Sequence, residues 1–183
     1  MVRLSILLFL TMNAISVQGQ DYVFNLIGQT FMVPDLNKMK FNQGDTIIFG
    51  KDVFVKRDSV YKFIPKGWSI PDLDDIKLFI KNLDGNENST GGKEVSASYL
   101  SSIIPFRLNG IYYSSMNKAF GKNTMTAFYT SPDILWSSND EPEKLTQVSL
   151  HIYSARNGNL NVEPTYTRVE NGVTYSGILF IKK

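Results

Sequence analysis

Short apolar runs follow one another along this chain, separated by glycine, proline and Asn-Gly breaks, and two of them, 76–83 and 145–154, alternate polar with apolar side chains at a period of two. Residues 22–27 (YVFNLI) and 30–33 read as strands, split by Gly28 and stopped by Pro34. Residues 46–49, 52–56 and 59–64 (SVYKFI) follow at meander-like spacing, with breaks at Gly44-Asp45, Gly50 and Lys56-Arg57-Asp58. After a turn at Pro65-Lys66-Gly67-Trp68, the run 76–83 (IKLFIKNL) places Ile76, Leu78 and Ile80 on one face and Lys77 and Lys81 on the other, which predicts a strand with one buried and one wet face. Residues 84–93 (DGNENSTGGK) are the most polar and glycine-rich part of the chain and are expected to form an exposed loop that does not pack. Residues 94–102 predict either a short helix or an irregular strand.

Further on, Asn109-Gly110 predicts a hairpin across 105–113, and 124–130 (TMTAFYT) a strand. In 145–154 (LTQVSLHIYS), Val148, Leu150 and Ile152 face one way and Gln147, Ser149 and His151 the other, with Asn157-Gly158 closing the strand towards the C-terminus. The final stretch, 165–183, reads as a hairpin about Asn171-Gly172, a pair suited to a type I′ turn. That register sets Glu170 against Val173, Arg168 against Tyr175 and Tyr166 against Gly177, and the run Ile178, Leu179, Phe180, Ile181 is apolar on both faces, as a central strand requires. About ten short strands, without a sustained helical period, an internal repeat or a linker, predict an all-β single-domain antiparallel β-sandwich of jelly-roll or CUB-like type, with a closed β-barrel as the alternative.

The N-terminus departs from this pattern. One cation (Arg3), an apolar run over 4–10 and small residues at Val17 and Gly19 are the marks of a signal peptide over 1–19, leaving a single domain over 20–183. No later stretch approaches the roughly 20 apolar residues of a membrane helix, so the expected product is secreted and extracellular, with no transmembrane segment. A chain of 183 residues less that leader is long enough for one core. It has no cysteine, which removes disulfides, thiolate metal sites and thiol catalysis. Its formal net charge of +2 forms no phosphate-tracking stripe, so nucleic acid is not expected as a partner. Charge is mildly segregated, with seven basic and three acidic residues in 38–66 and four acidic and no basic residues in 133–143, which predicts solvated faces.

Candidate chemistry is sparse. His151 is the sole histidine; its neighbours on a polar strand face predict a half-exposed position, with no motif that places a nucleophile beside it. Asp72, Asp74 and Asp75 offer closely spaced hard oxygen ligands for calcium, although the spacing is not that of an EF-hand. Asn88-Ser89-Thr90 is a glycosylation sequon at Asn88 in the polar loop. Trp68, Tyr112 and Trp136 are aromatic candidates for binding through exposed rings. No catalytic residue and no cofactor site emerges. The passage Tyr61 to Ile70 (YKFIPKGWSI) resembles the strand-Pro-x-Gly-aromatic passage of CUB-like sandwich domains; the cysteines usual in that family are absent, and no site is carried over. The function expected is therefore binding of an extracellular protein or glycan through loops, without turnover chemistry. The alternatives are a lipocalin-like carrier of a small lipophile, which needs a barrel and a cavity, and an extracellular hydrolase built on a pair of carboxylates.

Overall fold

The computed structural model describes residues 21–36, 38–49, 52–104, 106, 108, 110–113, 117–130, 134–136, 144–168, 173–175 and 177–182. The expected leader over 1–19, the Asn171-Gly172 turn and most of the acidic run 133–143 lie outside these residues. In chain order the elements are β1 (Tyr22–Leu26), β2 (Gln29–Val33), β3 (Thr46–Phe49), β4 (Asp52–Lys56), a 3-10 turn (Arg57–Phe63), β5 (Trp68–Ser69), α1 (Leu73–Lys81), β6 (Asn86–Glu87), β7 (Lys93–Ser96), α2 (Ala97–Ile103) and β8 (Ile111–Tyr113). There follow β9 (Lys118–Phe120), β10 (Met125–Tyr129), β11 (Ile134–Trp136), β12 (Lys144–Ser154), β13 (Asn159–Arg168), β14 (Val173–Tyr175), β15 (Gly177–Ile178) and β16 (Phe180–Lys182).

The fold is mostly β. Among the described residues the strands form three sheets, ordered β1-β2-β16-β5, β15-β10-β12-β13-β7-β6 with β11 on β12, and β3-β4-β14-β8-β9. Pairing is antiparallel except between β10 and β15, and none of these sheets closes into a barrel, which corrects the barrel alternative. No helix among the described residues is long and apolar enough to cross a membrane.

Among the described residues two apolar clusters fill the interior, and the C-terminal segment that carries β15 and β16 runs between them. Leu179 and Ile181 join the first, with Ile76, Phe79 and Ile80 of α1, Leu100 and Ile103 of α2, and Leu150, Ile152, Leu160 and Val162 of β12 and β13. Ile178 and Phe180 join the second, with Val55, Val60, Ile111, Ala127 and Tyr129. Successive side chains of a strand point to opposite faces, so a run apolar on both faces is what a strand serving two clusters needs. All four residues are buried, as expected, but they do not form one central strand: Ile178 ends β15, at the edge of its sheet, whereas Phe180 and Ile181 belong to β16, between β2 and β5 in another.

The final hairpin does not form as expected. β13 stays paired with β12 through Arg168, which sets Tyr166 against Val148. β14 leaves for another sheet, where both its edges are occupied, one by β4 and the other by β8. The partner of Gly177 is Phe128 rather than Tyr166, and a Cβ at Gly177 would lie 2.5 Å from the Phe128 ring. In the same way Ile111–Tyr113 pairs forward with β9 rather than back across Gly110; Asn109 itself is outside the described residues.

Two expected strands are helical. Residues 73–81 form α1 because Asp72 caps it: Asp72 Oδ1 accepts from Asp74 N and Asp75 N, and Asp75 Oδ2 accepts from Asp72 N. Ile76, Phe79, Ile80 and Leu83 then fall at the i, i+3, i+4, i+7 positions of one buried stripe, and Leu78, counted as buried in the strand reading, is exposed. Residues 59–63 belong to the 3-10 turn, whose three-residue period puts Ser59 and Lys62 on one side. Both reach the same oxygen, Asp45 Oδ1, at 2.9 and 2.6 Å. The passage that resembles CUB-like domains thus begins in a 3-10 turn, not a strand. Residues 93–103 divide between strand and helix, with Ser96 as the cap that accepts from Tyr99 N.

Candidate functional site

The segment 84–93 is exposed over most of its length, as expected, but it is not an unpacked loop. β6 and β7 make it a short hairpin, and Gly92 is buried so closely on β13 that a Cβ there would lie 2.5 Å from Val162 O. Its turn is built by Asn88, whose Oδ1 accepts from Thr90 N (3.1 Å) and Gly92 N (2.8 Å). Asn88 Nδ2, the atom a glycan would occupy, donates to Asn161 Oδ1 on β13 at 3.4 Å. Thr90 Oγ1 lies 2.7 Å from Asn88 Oδ1 and 2.5 Å from Glu163 Oε2, with one proton to donate between them.

Held in this way, the hairpin leaves a cleft beside α1. The space is about 190 Å³, open on one side, and is lined by Lys77, Ile80, Lys81, Glu87, Asn88, Gly91, Gly92 and Lys93. Lys77 and Lys81 are one helical turn apart and so share a face. Lys93 Nζ donates to Lys81 O (2.9 Å), at the end of α1, and to Leu83 O (2.6 Å), just beyond it, placing a positive charge at the helix C-terminus. Lys77, Lys81 and Glu87 are exposed, and the ion pairs among the described residues join other groups. Chemically the cleft offers two free ammonium groups, a third engaged with carbonyls, one carboxylate and an apolar floor at Ile80.

Behind the hairpin lies the polar face of β12 and β13. His151 stands opposite Glu163 in register, and Ser149 opposite Thr165. Tyr153 donates to Glu163; burial first, and then this bond and the carboxylate charge, push the phenol up to about 12. His151 is 7% exposed, which corrects the half-exposed position expected of it. Desolvation brings its imidazole down to about 4, so the ring is neutral, and Nε2 has no hydrogen-bond partner among the described residues. Ser149 Oγ donates to Thr165 O at 3.5 Å rather than towards the imidazole. Gln147 is buried as well, its Nε2 donating to Thr130 O and Val148 O. The arrangement braces the hairpin; it does not set a nucleophile against a base.

The remaining candidates are dispersed. Asp72 and Asp75 spend oxygens on the cap of α1, Asp74 is exposed in its first turn, and among the described residues no group of three or more acidic or histidine side chains is placed to hold a metal ion. Trp68 is partly buried against the second cluster. Tyr112 is buried, its ring 5.8 Å from that of Phe54 and its hydroxyl donating to Asn117 Oδ1, so it packs the interior instead of presenting a ring. Trp136 belongs to β11, and its side chain lies outside the described residues. Elsewhere, Asp45 is held below the usual carboxylate range by hydrogen bonds from Lys62, then Ser59.

The residues that the sequence reading missed are Lys77, Lys81, Lys93, Tyr153 and Glu163. The available signal was Asp72-x-x-Asp75, a capping box that sets Lys77 and Lys81 on one face of a helix. No protein-family model matches the chain, and neither the curated proteins nor the solved structures yield a match.

Proposed function

We propose that the chain is a secreted extracellular binding domain that recognises a protein or glycan through the cleft between α1 and the β6–β7 hairpin. The observation that carries this reading is the cleft itself: a concave, charge-bearing space whose rim is locked by hydrogen bonds and whose Lys77 and Lys81 ammonium groups form no ion pair among the described residues. A lipocalin-like carrier fits less well, since a chamber for a drug-sized ligand needs about 300 Å³ or more and the sheets do not close. We further propose a sandwich architecture of jelly-roll or CUB-like type, because the second apolar cluster draws on strands of separate sheets, Val55 and Ile111 from one and Met32, Tyr129 and Phe180 from the others.

An array of immobilised glycans and extracellular proteins tests the function. At least one member should bind, and binding should fall in Lys77→Glu/Lys81→Glu; a blank array contradicts the reading. Export is checked by N-terminal sequencing of secreted protein, which should begin at Gln20; a start at Met1 contradicts it. Glycosylation at Asn88 predicts that protein from a eukaryotic secretory line loses mass on Asn88→Gln; equal glycan mass on both forms would exclude the site.

A further inference from the structure

The cleft says more about its ligand than that it binds one. Lys77 and Lys81 sit at i and i+4 on an exposed helix face, where two like charges repel and cost an isolated helix a few tenths of a kcal/mol. Neither has an acidic partner among the described residues. Beneath them, Ile80 is buried and supplies an apolar floor. Across from them, Lys93 is fixed by the carbonyls of Lys81, the last residue of α1, and of Leu83 just beyond it, so its charge cannot swing away from the space. Glu87 lines the same cleft and forms no ion pair among the described residues. The hairpin's own amides, at Thr90, Gly91 and Gly92, are already spent on Asn88, so recognition falls to side chains.

This set of groups selects among ligands. A free inorganic anion would satisfy the ammonium groups but leave Glu87 facing like charge and Ile80 facing a hydrated ion. A neutral sugar would satisfy Glu87 and the floor but leave two ammonium groups uncompensated. A sugar ring that bears one acidic group meets all three demands: its carboxylate or sulfate lies between Lys77 and Lys81, a hydroxyl donates to Glu87, and a C–H face rests on Ile80. At about 190 Å³ the space suits a single terminal group rather than an extended chain.

We propose that the cleft binds the acidic terminal sugar of an extracellular glycan, with Lys77 and Lys81 reading the charge and Glu87 reading a ring hydroxyl. This assignment rests on the binding reading above and narrows it to one ligand class.

The test is a titration of the isotope-labelled chain followed by amide chemical shifts, with glucuronate, glucose, inorganic sulfate and glutamate as probes. Glucuronate should shift the amides of 77–81 and 87–93 saturably, and the other three should bind about tenfold more weakly or worse, since each leaves at least one demand unmet. Lys77→Gln/Lys81→Gln should weaken glucuronate by about tenfold while leaving the thermal midpoint in place, because both side chains are exposed. Glu87→Gln should narrow the preference for glucuronate over sulfate. Tighter binding of glutamate would give the cleft to acidic peptides and overturn the sugar; equal response to glucose, or undiminished affinity in the double lysine variant, would overturn the charge-reading role. If the array finds a partner whose binding survives Lys77→Gln/Lys81→Gln, the binding reading stands and the assignment falls. If glucuronate saturates the cleft while the array stays blank, the preference for an acidic sugar stands and its extracellular source falls.

Discussion

The two faces of the β12–β13 pair differ in chemistry yet share one condition. On one face Leu150, Ile152, Leu160 and Val162 pack with the apolar stripe of α1 and with α2. On the other, Ser149, His151 and Tyr153 stand opposite Thr165, Glu163 and Asn161. Period-two alternation suggests that the first is dry and the second wet. In the structure Ser149 and His151 are as enclosed as many core residues, and the polar face opens only gradually towards β13. Alternation therefore reports what each face touches, not whether water reaches it. An apolar face is joined by side chains of like kind, whereas a covered polar face has to be joined by hydrogen bonds, which here tie the β6–β7 hairpin to Asn161 and Glu163.

The largest effect expected from breaking this pair of faces is on the apolar one. Leu150→Ala should cost about 4 kcal/mol, the transfer and cavity terms of a fully buried leucine, measured as the shift in a urea unfolding midpoint at constant slope. A loss below about 1 kcal/mol would mean that the cluster is loosely packed.

The polar face should respond to pH instead. His151 titrates near 6.5 in the unfolded chain and about 4 in the folded one, so the unfolded state takes up the proton first as pH falls. Stability from this group is complete above about pH 6.5, declines between there and about pH 4, and is lost below, a change of about 3 kcal/mol. His151→Phe, which fills the space with a ring that cannot be charged, should flatten that part of the stability curve. An unchanged slope would place the titration elsewhere. Asp45, held low by Lys62 and Ser59, adds a second decline at more acid pH, below its ordinary value, as its carboxylate is protonated.

Smaller still is the tie between the polar face and the hairpin. Thr90→Val removes the hydroxyl beside Glu163 and Asn88 and should cost about 1 kcal/mol, with faster hydrogen exchange at Gly92 while β12 amides keep their protection. Tyr153→Phe should cost about 0.5 kcal/mol at neutral pH. Its signature is the alkaline limb: the phenol is raised from 10 to about 12, so its contribution holds below pH 10 and fades as pH rises towards 12, a decline that the variant should lack.

What was legible in the sequence follows the same division. Strands such as β3, β4, β10 and β12 could be placed because each carries its own period and its own breaks. α1 is misplaced because Ile76, Leu78 and Ile80 satisfy a period of two over a short window, while the deciding signal, the Asp72 to Asp75 box, reads in sequence as a solvated turn with calcium ligands as the alternative. The final hairpin was misplaced because an Asn-Gly pair speaks only of its own neighbours, and β14 is held by strands about 60 and 120 residues earlier in the chain. The cleft could not be seen at all without α1, since Lys77 and Lys81 converge on Glu87 and Lys93 only across the fold. For His151 the polar neighbours were read correctly and the cover was not, because a covering layer from elsewhere leaves no mark on the strand it covers.

The central claim is that the polar face is enclosed on its β12 side, at Gln147, Ser149 and His151, and that its more open β13 side braces the hairpin bordering the cleft. The ring of His151, the sole histidine of the chain, reports on it directly through its imidazole resonances followed against pH. The account predicts a neutral ring through the physiological range, with a midpoint at about 4 that coincides with the loss of native dispersion. A reversible titration near 6.5, with the fold intact throughout, would show that face open to water and contradict the account.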